Sequence, residues 1–506
     1  MLWCAAALAV AAVLLAVSGG VRADVGGLRL SLRSPWPSLV ASVLLAGLWF
    51  ALARRHAQAA ADLTSIWLAV ERRAGVVMVV VALASGVVAE VFATNSASGA
   101  DASGYLSQAA MWSQNHPFVV DRLGAEFAAA VPMDVYPTTP LGWRPRGPGM
   151  QVPSYPPGLP LLMAIPHRIA GTRGAALVIP IAACVAIWTG GSLARLLGGG
   201  AAGLLASIVM AVAPVFLFQS VQPMSDLPVT AAWMASWWLI VRGRADFAWW
   251  AGLACAVAVL IRPNLAPLAA VPFLSMLSTS RRDGLRFALP VVVAGVFLAI
   301  LQWVWYGSPL RSGYGATGEL FALSNAPLNL SRYFGWLVAT SPALVAAVGG
   351  FWILRANRHA QAMAAFAVLV VVSYLAYAVF DDWSYLRFLL PAMAVAAVFV
   401  GALGQSLLAR MTPPARPVVL FAVILAVSAH GLGEARSRDT YKLAAQQRRV
   451  VDIAVALGDR LSPSDVIVAG EQSGSMRYYT GHDIVRWEAL RGEDWDRVFG
   501  ALTAMG

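Results

Sequence analysis

The sequence predicts an all-α polytopic membrane protein of about thirteen transmembrane helices, with a large first extracytoplasmic loop and a small C-terminal α/β extracytoplasmic domain. Composition predicts the membrane class, because 59% of the 506 residues are hydrophobic and only 12% are charged, against about 25% charged residues in an average soluble chain. The Arg residues also cluster in short links between apolar runs, where they indicate topology. The net charge of +11 therefore does not indicate a nucleic-acid partner, which would need a basic face.

Apolar runs of spanning length define the predicted helices, since a transmembrane helix needs roughly 20 apolar residues. The first run has no basic residues before its apolar core, unlike a cleaved signal peptide, and we interpret it as an uncleaved span. Two short spans are predicted within residues 247–279, joined at Arg262. The other predicted spans lie near residues 2–19, 36–53, 74–93, 174–194, 201–219, 227–241, 285–305, 334–354, 362–380, 386–409 and 416–433.

The positions of the basic clusters orient these spans. With the segment after residue 93 outside, most basic clusters fall inside, as the positive-inside rule requires. These clusters are Arg54-Arg55, Arg72-Arg73, Arg195, Arg242 with Arg244, Arg281-Arg282, Arg355 with Arg358, and Arg410 with Arg416. The exception is the first loop, whose Arg22, Arg29 and Arg33 would lie outside. The apolar residues 156–170 would reverse that orientation if they crossed. They are also short for a span and are interrupted by Pro160 and Pro166. We therefore predict an interfacial helix here, within one large external loop of residues 94–173.

The chain divides into three predicted parts. They are N-terminal accessory transmembrane helices (residues 1–70), the main membrane domain (residues 71–433) and the external α/β domain (residues 434–506). Within the last part, periodicity predicts a helix, a buried strand and a second helix at residues 442–461, 465–469 and 473–479. A unit of this size is marginally stable alone, so we expect it to dock on the membrane domain.

Asp101 and Asp226 are the acidic residues with the most unusual settings. Asp101 follows a small-residue linker after a predicted span and opens a polar helix that also carries Tyr105. Asp226 lies in the tight link formed by residues 222–228, at the start of the next span. Both carboxylates face outside in the predicted topology and are expected to converge on one pocket. The alternative for each is helix capping, since Asp is a preferred N-cap residue.

Three arginines on the same side are candidate anion ligands. Arg262 interrupts two half-spans, where its guanidinium can bind a phosphate bidentately or snorkel to lipid headgroups. Arg311 stands with Tyr314 in a Gly/Ser/Tyr loop that suits an anion site or is an ordinary connector. Arg387 follows Tyr385 at the outer end of a span, where the aromatic residue alone would fit the interfacial belt.

Several enzyme classes lose support because their motifs are missing from the sequence. It contains no nucleophile elbow, HExxH or Walker A motif. Its six histidines are scattered without ligand spacing. We predict no metal site and no cofactor, and a divalent metal held by oxygen ligands stays open as an alternative.

Four short motifs resemble a known family. They occur in this order on the predicted outer side: Asp101-Ala102-Ser103-Gly104-Tyr105, Tyr155-Pro156-Pro157-Gly158, Gln222-Pro223-Met224-Ser225-Asp226 and Leu260-Ile261-Arg262-Pro263. Together they resemble the GT-C membrane glycosyltransferases, in the branch of the protein O-mannosyltransferases and lipid A aminoarabinose transferases with their bacterial homologues. The resemblance covers about residues 71–433 and implies a GT-C-like fold.

The resemblance also implies a function. It implies an inverting glycosyltransferase of the bacterial plasma membrane, with an extracytoplasmic active site, that moves a sugar from a polyprenyl-phosphate-linked donor to an envelope glycan, lipid or protein acceptor. Asp101 corresponds to the acid of the family's first external loop, and Asp226 to the second acidic position. Arg262 and Arg311 would hold the donor phosphate. The family often has a second acid directly after the first, where this chain has Ala102, which counts against a metal and against a mannosyl-protein acceptor.

The residue inventory is consistent with this chemistry. A lipid phosphate leaves as an anion, so it needs cationic stabilisation rather than a general acid, and Arg262, Arg311 or Arg387 can supply it. One carboxylate near the acceptor hydroxyl suffices as the base. The residues expected to contact the substrate are Tyr105, Tyr155, Tyr314 and Tyr385.

Two other functions stay open as alternatives. A secondary transporter would place ionisable residues near the bilayer midplane and often shows internal repeats. The predicted span interiors are nearly free of charge, which disfavours transport. A non-catalytic membrane protein of envelope assembly would not need its external acids.

Overall fold

The computed structural model describes residues 4–505, apart from residues 6, 10, 13–14, 16–20, 26–27, 33–35, 54–56, 131–135, 245, 316–319 and 493. The predicted span at residues 2–19 lies largely outside the described residues and stays a prediction.

Helices dominate the described chain, with short strands between them. The helices are α1 (Trp36–Ala53), α2 (Ala57–Val91), α3 (Gly99–Ser113), α4 (Arg122–Ala130), α5 (Gly158–Ala176), α6 (Val178–Gly198), α7 (Gly200–Val212), α8 (Pro214–Ser220), α9 (Asp226–Arg242), α10 (Phe247–Ile261), α11 (Ala270–Leu277), α12 (Arg281–Tyr306), α13 (Ala326–Thr340), α14 (Ala347–Leu354), α15 (Arg358–Leu375), α16 (Leu390–Ala409), α17 (Ala415–Ser437), α18 (Leu443–Gly458), α19 (Ser473–Thr480) and α20 (Asp494–Met505). The strands are β1 (Val21–Val25), β2 (Leu28–Leu32), β3 (Val119–Val120), β4 (Trp143–Pro145), β5 (Met150–Pro153), β6 (Val466–Ala469) and β7 (Asp483–Arg486).

The long apolar helices make this an integral membrane protein. In the described chain, six helical segments are long and apolar enough to cross a membrane: Ala59–Val91, Val178–Gly198, Arg281–Tyr306, Arg358–Leu375, Trp383–Ala409 and Ala415–Ser437. The number rises to eight if each of two bent helix pairs counts as one span. The predicted number of about thirteen is therefore not confirmed.

Proline sets the position of both bends. Helices α7 and α8 meet at 64°, and the second bent pair, within residues 323–354, meets at 109°. The second helix of each pair begins at a proline, Pro214 and Pro342 respectively. Proline lacks a backbone N–H and disfavours helical geometry in the residue before it, so the predicted spans 201–219 and 334–354 are broken rather than straight.

The membrane core is formed by helices whose small residues allow close approach, as in other membrane bundles. Large aromatic side chains fill the space between α9 and α15. The ring centroids of Trp233 and Trp237 lie 4.8 and 5.9 Å from that of Phe366. All three side chains are fully buried.

The external loop is more ordered than the sequence predicts. It contains α3, α4 and an antiparallel sheet in the order β3-β5-β4. The segment predicted as an interfacial helix forms α5, which is kinked at Ala170 and Gly171. Its place at the membrane surface stays a prediction. The sheet escaped prediction because its strands are only two to four residues long, too short to show an alternating pattern.

The tail contains the predicted helices and strand, together with β7 and α20, which the sequence analysis did not predict. Strands β6 and β7 pair in parallel. The tail packs on the external loop through one apolar cluster, in which Leu123 and Phe127 of α4 meet Val485 and Val498. The three-part division of the chain stays a prediction.

Candidate functional site

Most of the predicted site residues line one cavity. It has a volume of about 530 Å³ and lies where α3, the start of α9, the link between α10 and α11, and the residues before α16 meet. Eight of the nine predicted site residues line it: Asp101, Tyr105, Tyr155, Asp226, Arg262, Tyr314, Tyr385 and Arg387.

Asp101 is the more accessible of the two carboxylates. It lies in the first turn of α3, whose N-cap residue is Ser98, so the capping alternative for Asp101 is wrong. Its two carboxylate oxygens accept hydrogen bonds from the Tyr155 hydroxyl at 2.8 Å and from Nη2 of Arg387 at 3.2 Å. The side chain is 37% exposed. A carboxylate in the first helical turn is also favoured by the helix dipole.

Asp226 is sealed inside the protein. It is the first residue of α9, after the N-cap residue Ser225, so the capping alternative is wrong here also. Its side chain is 0% exposed and pairs with Arg262, with 2.5 Å between Oδ1 and Nη2. A buried carboxylate without a cationic partner would be costly, so this pair explains how the charge is tolerated.

Arg262 is held on several sides. It lies between α10 and a short 3-10 helix, Pro263–Ala269, which confirms the predicted break in this apolar region. Its Nε donates to Ser225 Oγ at 3.2 Å and its Nη1 to the Tyr374 hydroxyl at 2.9 Å. Its guanidinium also lies 5.4 Å from the ring centroid of Phe388. The side chain is 12% exposed, so the snorkelling alternative is wrong.

Arg387 has donor capacity left over. Besides the bond to Asp101, its Nη1 lies 4.0 Å from the sulfur of Met224. Its Nε is buried and makes no hydrogen bond in the described part of the chain. The guanidinium lies between the rings of Tyr385 and Phe388, at 5.0 and 5.3 Å from their centroids. These contacts hold the cation on the cavity wall.

Arg311 is the predicted ligand that the structure does not bring to the cavity. It is exposed and lines a second cleft together with Arg144 and Arg146. The prediction that Arg311 and Arg262 contact one phosphate is therefore corrected. Tyr314, three residues later, does line the cavity, because the loop turns between Ser312 and Gly315.

The tyrosines form a connected group beside Asp101. The ring centroids of Tyr105 and Tyr155 are 4.7 Å apart, and those of Tyr155 and Tyr314 are 5.7 Å apart. Burial, followed by the nearby Asp101 charge, raises the pKa of Tyr105 and of Tyr155. Both therefore stay protonated at neutral pH, and Tyr155 donates its hydroxyl hydrogen to Asp101.

Two glycine contacts explain why the motifs converge. Gly104 of α3 packs on Gly142, where an added Cβ would lie 2.7 Å from the Gly104 Cα. Gly158 packs on the Leu260-Ile261 backbone, directly before Arg262, where an added Cβ would lie 2.7 Å from the Leu260 oxygen. A side chain at either position would push the motifs apart.

The sequence analysis missed several residues of the cavity. Ser225 and Phe388 stand next to predicted residues, and their adjacency was the available signal. Tyr374 and Tyr377 also line the cavity, but they lie in or next to an apolar span and carry no sequence signal. Phe380 stacks on Tyr385 with ring centroids 3.8 Å apart. Among the described residues, no group of three or more His, Cys, Asp or Glu side chains could hold a metal ion.

Comparison with known proteins supports the resemblance read from the motifs. A family model described as dolichyl-phosphate-mannose-protein mannosyltransferase matches residues 154–306. No curated protein matches the chain. The structure of ArnT from Cupriavidus metallidurans bound to undecaprenyl phosphate is similar, with a TM-score of 0.53, 12% identity, and coverage of 81% of this chain and 85% of that one. Its apo structure gives a TM-score of 0.52, 15% identity, and coverage of 81% and 84%.

These similarities agree with each other and with the motifs. At such low identity the two structures establish the fold alone, and that fold extends over most of both chains. The family model matches the segment from Ser154 to Tyr306, which contains Asp226 and Arg262. The resemblance to the GT-C superfamily of membrane glycosyltransferases is thereby confirmed.

Proposed function

We propose that this GT-C-like chain is an inverting glycosyltransferase that moves a sugar from a polyprenyl-phosphate-linked donor to a hydroxyl group of an envelope glycan, lipid or protein. The observation that carries the proposal is the state of Asp101. It is a partly exposed carboxylate on the wall of a cavity that also contains two guanidinium groups. The sealed Asp226 pairs with Arg262 and acts by holding that cation in place.

Asp101 acts as the base. It takes the proton of the acceptor hydroxyl as the acceptor oxygen attacks the anomeric carbon. Tyr155 donates to one carboxylate oxygen and Arg387 to the other, so both contacts fix the direction of the carboxylate. Attack from the side opposite the leaving group inverts the anomeric centre.

Arg387 and Arg262 stabilise the leaving group. As the bond from the anomeric carbon to the phosphate oxygen breaks, negative charge develops on the lipid phosphate, and fixed cations in a sheltered cavity stabilise it. Arg387 lines the cavity next to Asp101, which favours a direct contact with that phosphate. The undecaprenyl phosphate bound to the similar ArnT supports a polyprenyl phosphate as the carrier here.

The aromatic lining suits a sugar and excludes water. Tyr314, Tyr377, Phe380 and Tyr385 line the cavity and offer apolar faces beside hydroxyl donors. Binding sites of a few hundred Å³ with a small number of placed polar groups are typical for small ligands. Exclusion of water would limit hydrolysis of the donor.

The active site is proposed to face the outside of a bacterial plasma membrane. The three segments that the positive-inside rule assigns to that side contact one another: Gly313 packs on Ser154, and the Tyr479 hydroxyl of the tail accepts a hydrogen bond from the Ala97 backbone. Such contacts require a shared side.

The experiment that tests the function compares lipid-linked sugars and envelope glycans in a strain with and without the protein, by mass spectrometry. We expect the strain without the protein to accumulate one polyprenyl-phosphate sugar and to lose one glycan modification. Complementation with the wild type and with Glu126→Gln, an exposed acid of the same loop, should restore both. An unchanged lipid-linked pool and unchanged glycans would refute the proposed transfer. A lipid-linked sugar that accumulates only on the inner face would instead favour transport.

A further inference from the structure

A second basic cleft lies beside the cavity. This arginine cleft has a volume of about 640 Å³ and is lined by Arg144, Arg146 and Arg311, with Trp305, Tyr306 and further backbone. No acidic side chain is among its described lining residues. Three cations repel each other where no described acidic side chain lines the cleft with them, and an anionic ligand would relieve that repulsion.

Two of the three guanidinium groups are held through Nε, and their terminal nitrogens make no hydrogen bond to described residues. Arg144 donates through Nε to the Gly313 carbonyl at 2.6 Å, and Arg146 donates through Nε to the Val304 carbonyl at 3.0 Å. Their terminal nitrogens make no hydrogen bond within the described chain. The side chain of Arg311 makes no hydrogen bond or ion pair in the described chain either. Terminal guanidinium nitrogens are the pair that binds two phosphate oxygens at once.

The arginine cleft lies at the end of a membrane helix. Trp305 and Tyr306 are the last two residues of α12. Next to them, Trp303 is 63% exposed and Leu310 is 89% exposed. An exposed Trp beside an apolar side chain and arginines is typical of the headgroup level of a bilayer. A ligand that reaches the arginine cleft along the membrane would therefore be a lipid.

We propose that the arginine cleft binds the phosphate group of a membrane lipid, at a site separate from the cavity of Asp101. The bound phosphate contacts Arg146 and Arg311, and Arg144 completes the site from the loop side. Trp305, Tyr306 and Ser312 line both the arginine cleft and the cavity, so a bound lipid stands next to the cavity entrance. The proposal does not depend on the proposed sugar transfer.

The test measures lipid binding to the purified full-length protein in detergent. The probes are phosphatidic acid, phosphatidylcholine and soluble glycerol phosphate. The test variant is Arg146→Gln with Arg311→Gln. The matched control is Arg281→Gln with Arg282→Gln, an exposed pair at the opposite end of α12, which changes the net charge equally.

We expect phosphatidic acid to bind the wild type and the control alike, and the test variant at least about tenfold more weakly, since each basic residue near a lipid surface contributes strongly to anion binding. Phosphatidylcholine should bind much more weakly to all three proteins. Because Arg146 also contacts the α12 backbone, Arg311→Gln alone serves as a second variant, with an expected loss of about threefold.

Three outcomes would overturn the proposal. Equal weakening in the test and control variants would show nonspecific charge attraction. Equal binding of phosphatidic acid and phosphatidylcholine would remove the role of the anionic phosphate. Glycerol phosphate that competes as well as the intact lipid would exclude a lipid as the preferred ligand.

Discussion

Among the single residues of the site, two acid–arginine pairs differ in how accessible their side chains are. The Asp226–Arg262 pair is sealed, with side-chain exposures of 0% and 12%. The Asp101–Arg387 pair is looser at 3.2 Å, and its acid is open to the cavity. A buried charge pair must be well made to offset desolvation, whereas a looser pair can exchange partners with a substrate.

Arg387→Gln should therefore weaken donor binding. Loss of a hydrogen bond to a charged group costs about 1.5–3 kcal/mol, so we expect the Kd for polyprenyl phosphate to rise roughly 10- to 100-fold. Arg387→Lys should recover only part of this affinity, because an ammonium group has no second fixed nitrogen. Titration of each purified variant with polyprenyl phosphate measures the effect. Arg282→Gln, at the far end of α12, is the control, and an Arg387→Gln Kd equal to that of the control would exclude a phosphate contact.

The sequence predicted which charged residues line the cavity, but not which of them pair with each other. Asp101, Asp226, Arg262 and Arg387 could be predicted because charged residues next to apolar spans are costly and few. Arg311 was assigned to the wrong pocket, because the direction of a Gly-rich loop depends on backbone turns that composition does not encode. Tyr374, which contacts Arg262, is hidden in an apolar span.

At the scale of elements, the tail caps the helix that carries Asp101. The N-cap residue of α3, Ser98, makes no capping bond with its side chain. Instead, Gln472 Oε1 accepts a hydrogen bond from the Gly99 N–H at 3.1 Å, close to the 2.8 Å bond from Ala97 to Tyr479. An N-terminal cap is worth about 0.5–2 kcal/mol, so the tail holds the start of α3 in position.

Gln472→Ala should accordingly reduce kcat about five- to tenfold while leaving the KM for the donor unchanged, since about 1 kcal/mol of positioning is lost. Gln472→Glu should retain activity, because it keeps the acceptor oxygen and places a negative charge at a helix N-terminus. Steady-state kinetics of the purified variants make the comparison, with the exposed neighbour Glu471→Gln as control. If Gln472→Ala raised KM and left kcat intact, this positioning role would be excluded.

The sequence predicted whether a segment is a helix or a strand more reliably than it predicted where a helix is broken. Helix α17 (Ala415–Ser437) contains the predicted span 416–433, and strand β6 (Val466–Ala469) falls within the predicted 465–469. Both contain an apolar run of the length expected for their type. The bend at Ser341 was not predicted, because a proline in an apolar run can kink a span without ending it.

At the scale of the whole molecule, the tail and the external loop meet at His167. This residue of α5 lies 3.2 Å from Ser113 Oγ through Nδ1 and 3.5 Å from the Tyr478 hydroxyl through Nε2. Tyr478 also bonds Thr172 at 2.5 Å. Burial lowers the pKa of His167 below its ordinary value of 6.5, so the folded protein holds this imidazole neutral.

This lowered pKa predicts a loss of stability in acid. Between pH 6.5 and the lower pKa of the folded state, the unfolded chain binds more protons, so the free energy of unfolding falls as the pH falls. We expect the Tm to decrease more between pH 7.5 and pH 5.5 in the wild type than in His167→Gln, as measured by tryptophan fluorescence in detergent. Burial raises the pKa of Tyr478, so that hydroxyl does not titrate in this range. Identical pH profiles would show that the folded protein does not lower the pKa of His167.

For the whole molecule, the sequence could predict that distant segments lie on the same side of the membrane, but not how they contact one another. The positive-inside rule assigned residues 94–173, the loop after α12 and the tail to one side, and these segments do contact one another. The packing of these segments depends on close backbone contacts of Gly104, Gly142 and Gly158. No periodic pattern in the sequence marks those contacts. The short sheet of the loop had no pattern from which to predict it.

The transfer rate of Asp101→Asn shows whether Asp101 is the base. Once the donor and acceptor are identified, transfer of labelled sugar is measured with the purified protein in lipid vesicles, beside Glu126→Gln. We predict a loss of about 10²- to 10⁴-fold for Asp101→Asn, with an unchanged Tm, retained binding of polyprenyl phosphate, and full activity in Glu126→Gln. Transfer by Asp101→Asn at the wild-type rate would exclude Asp101 as the base.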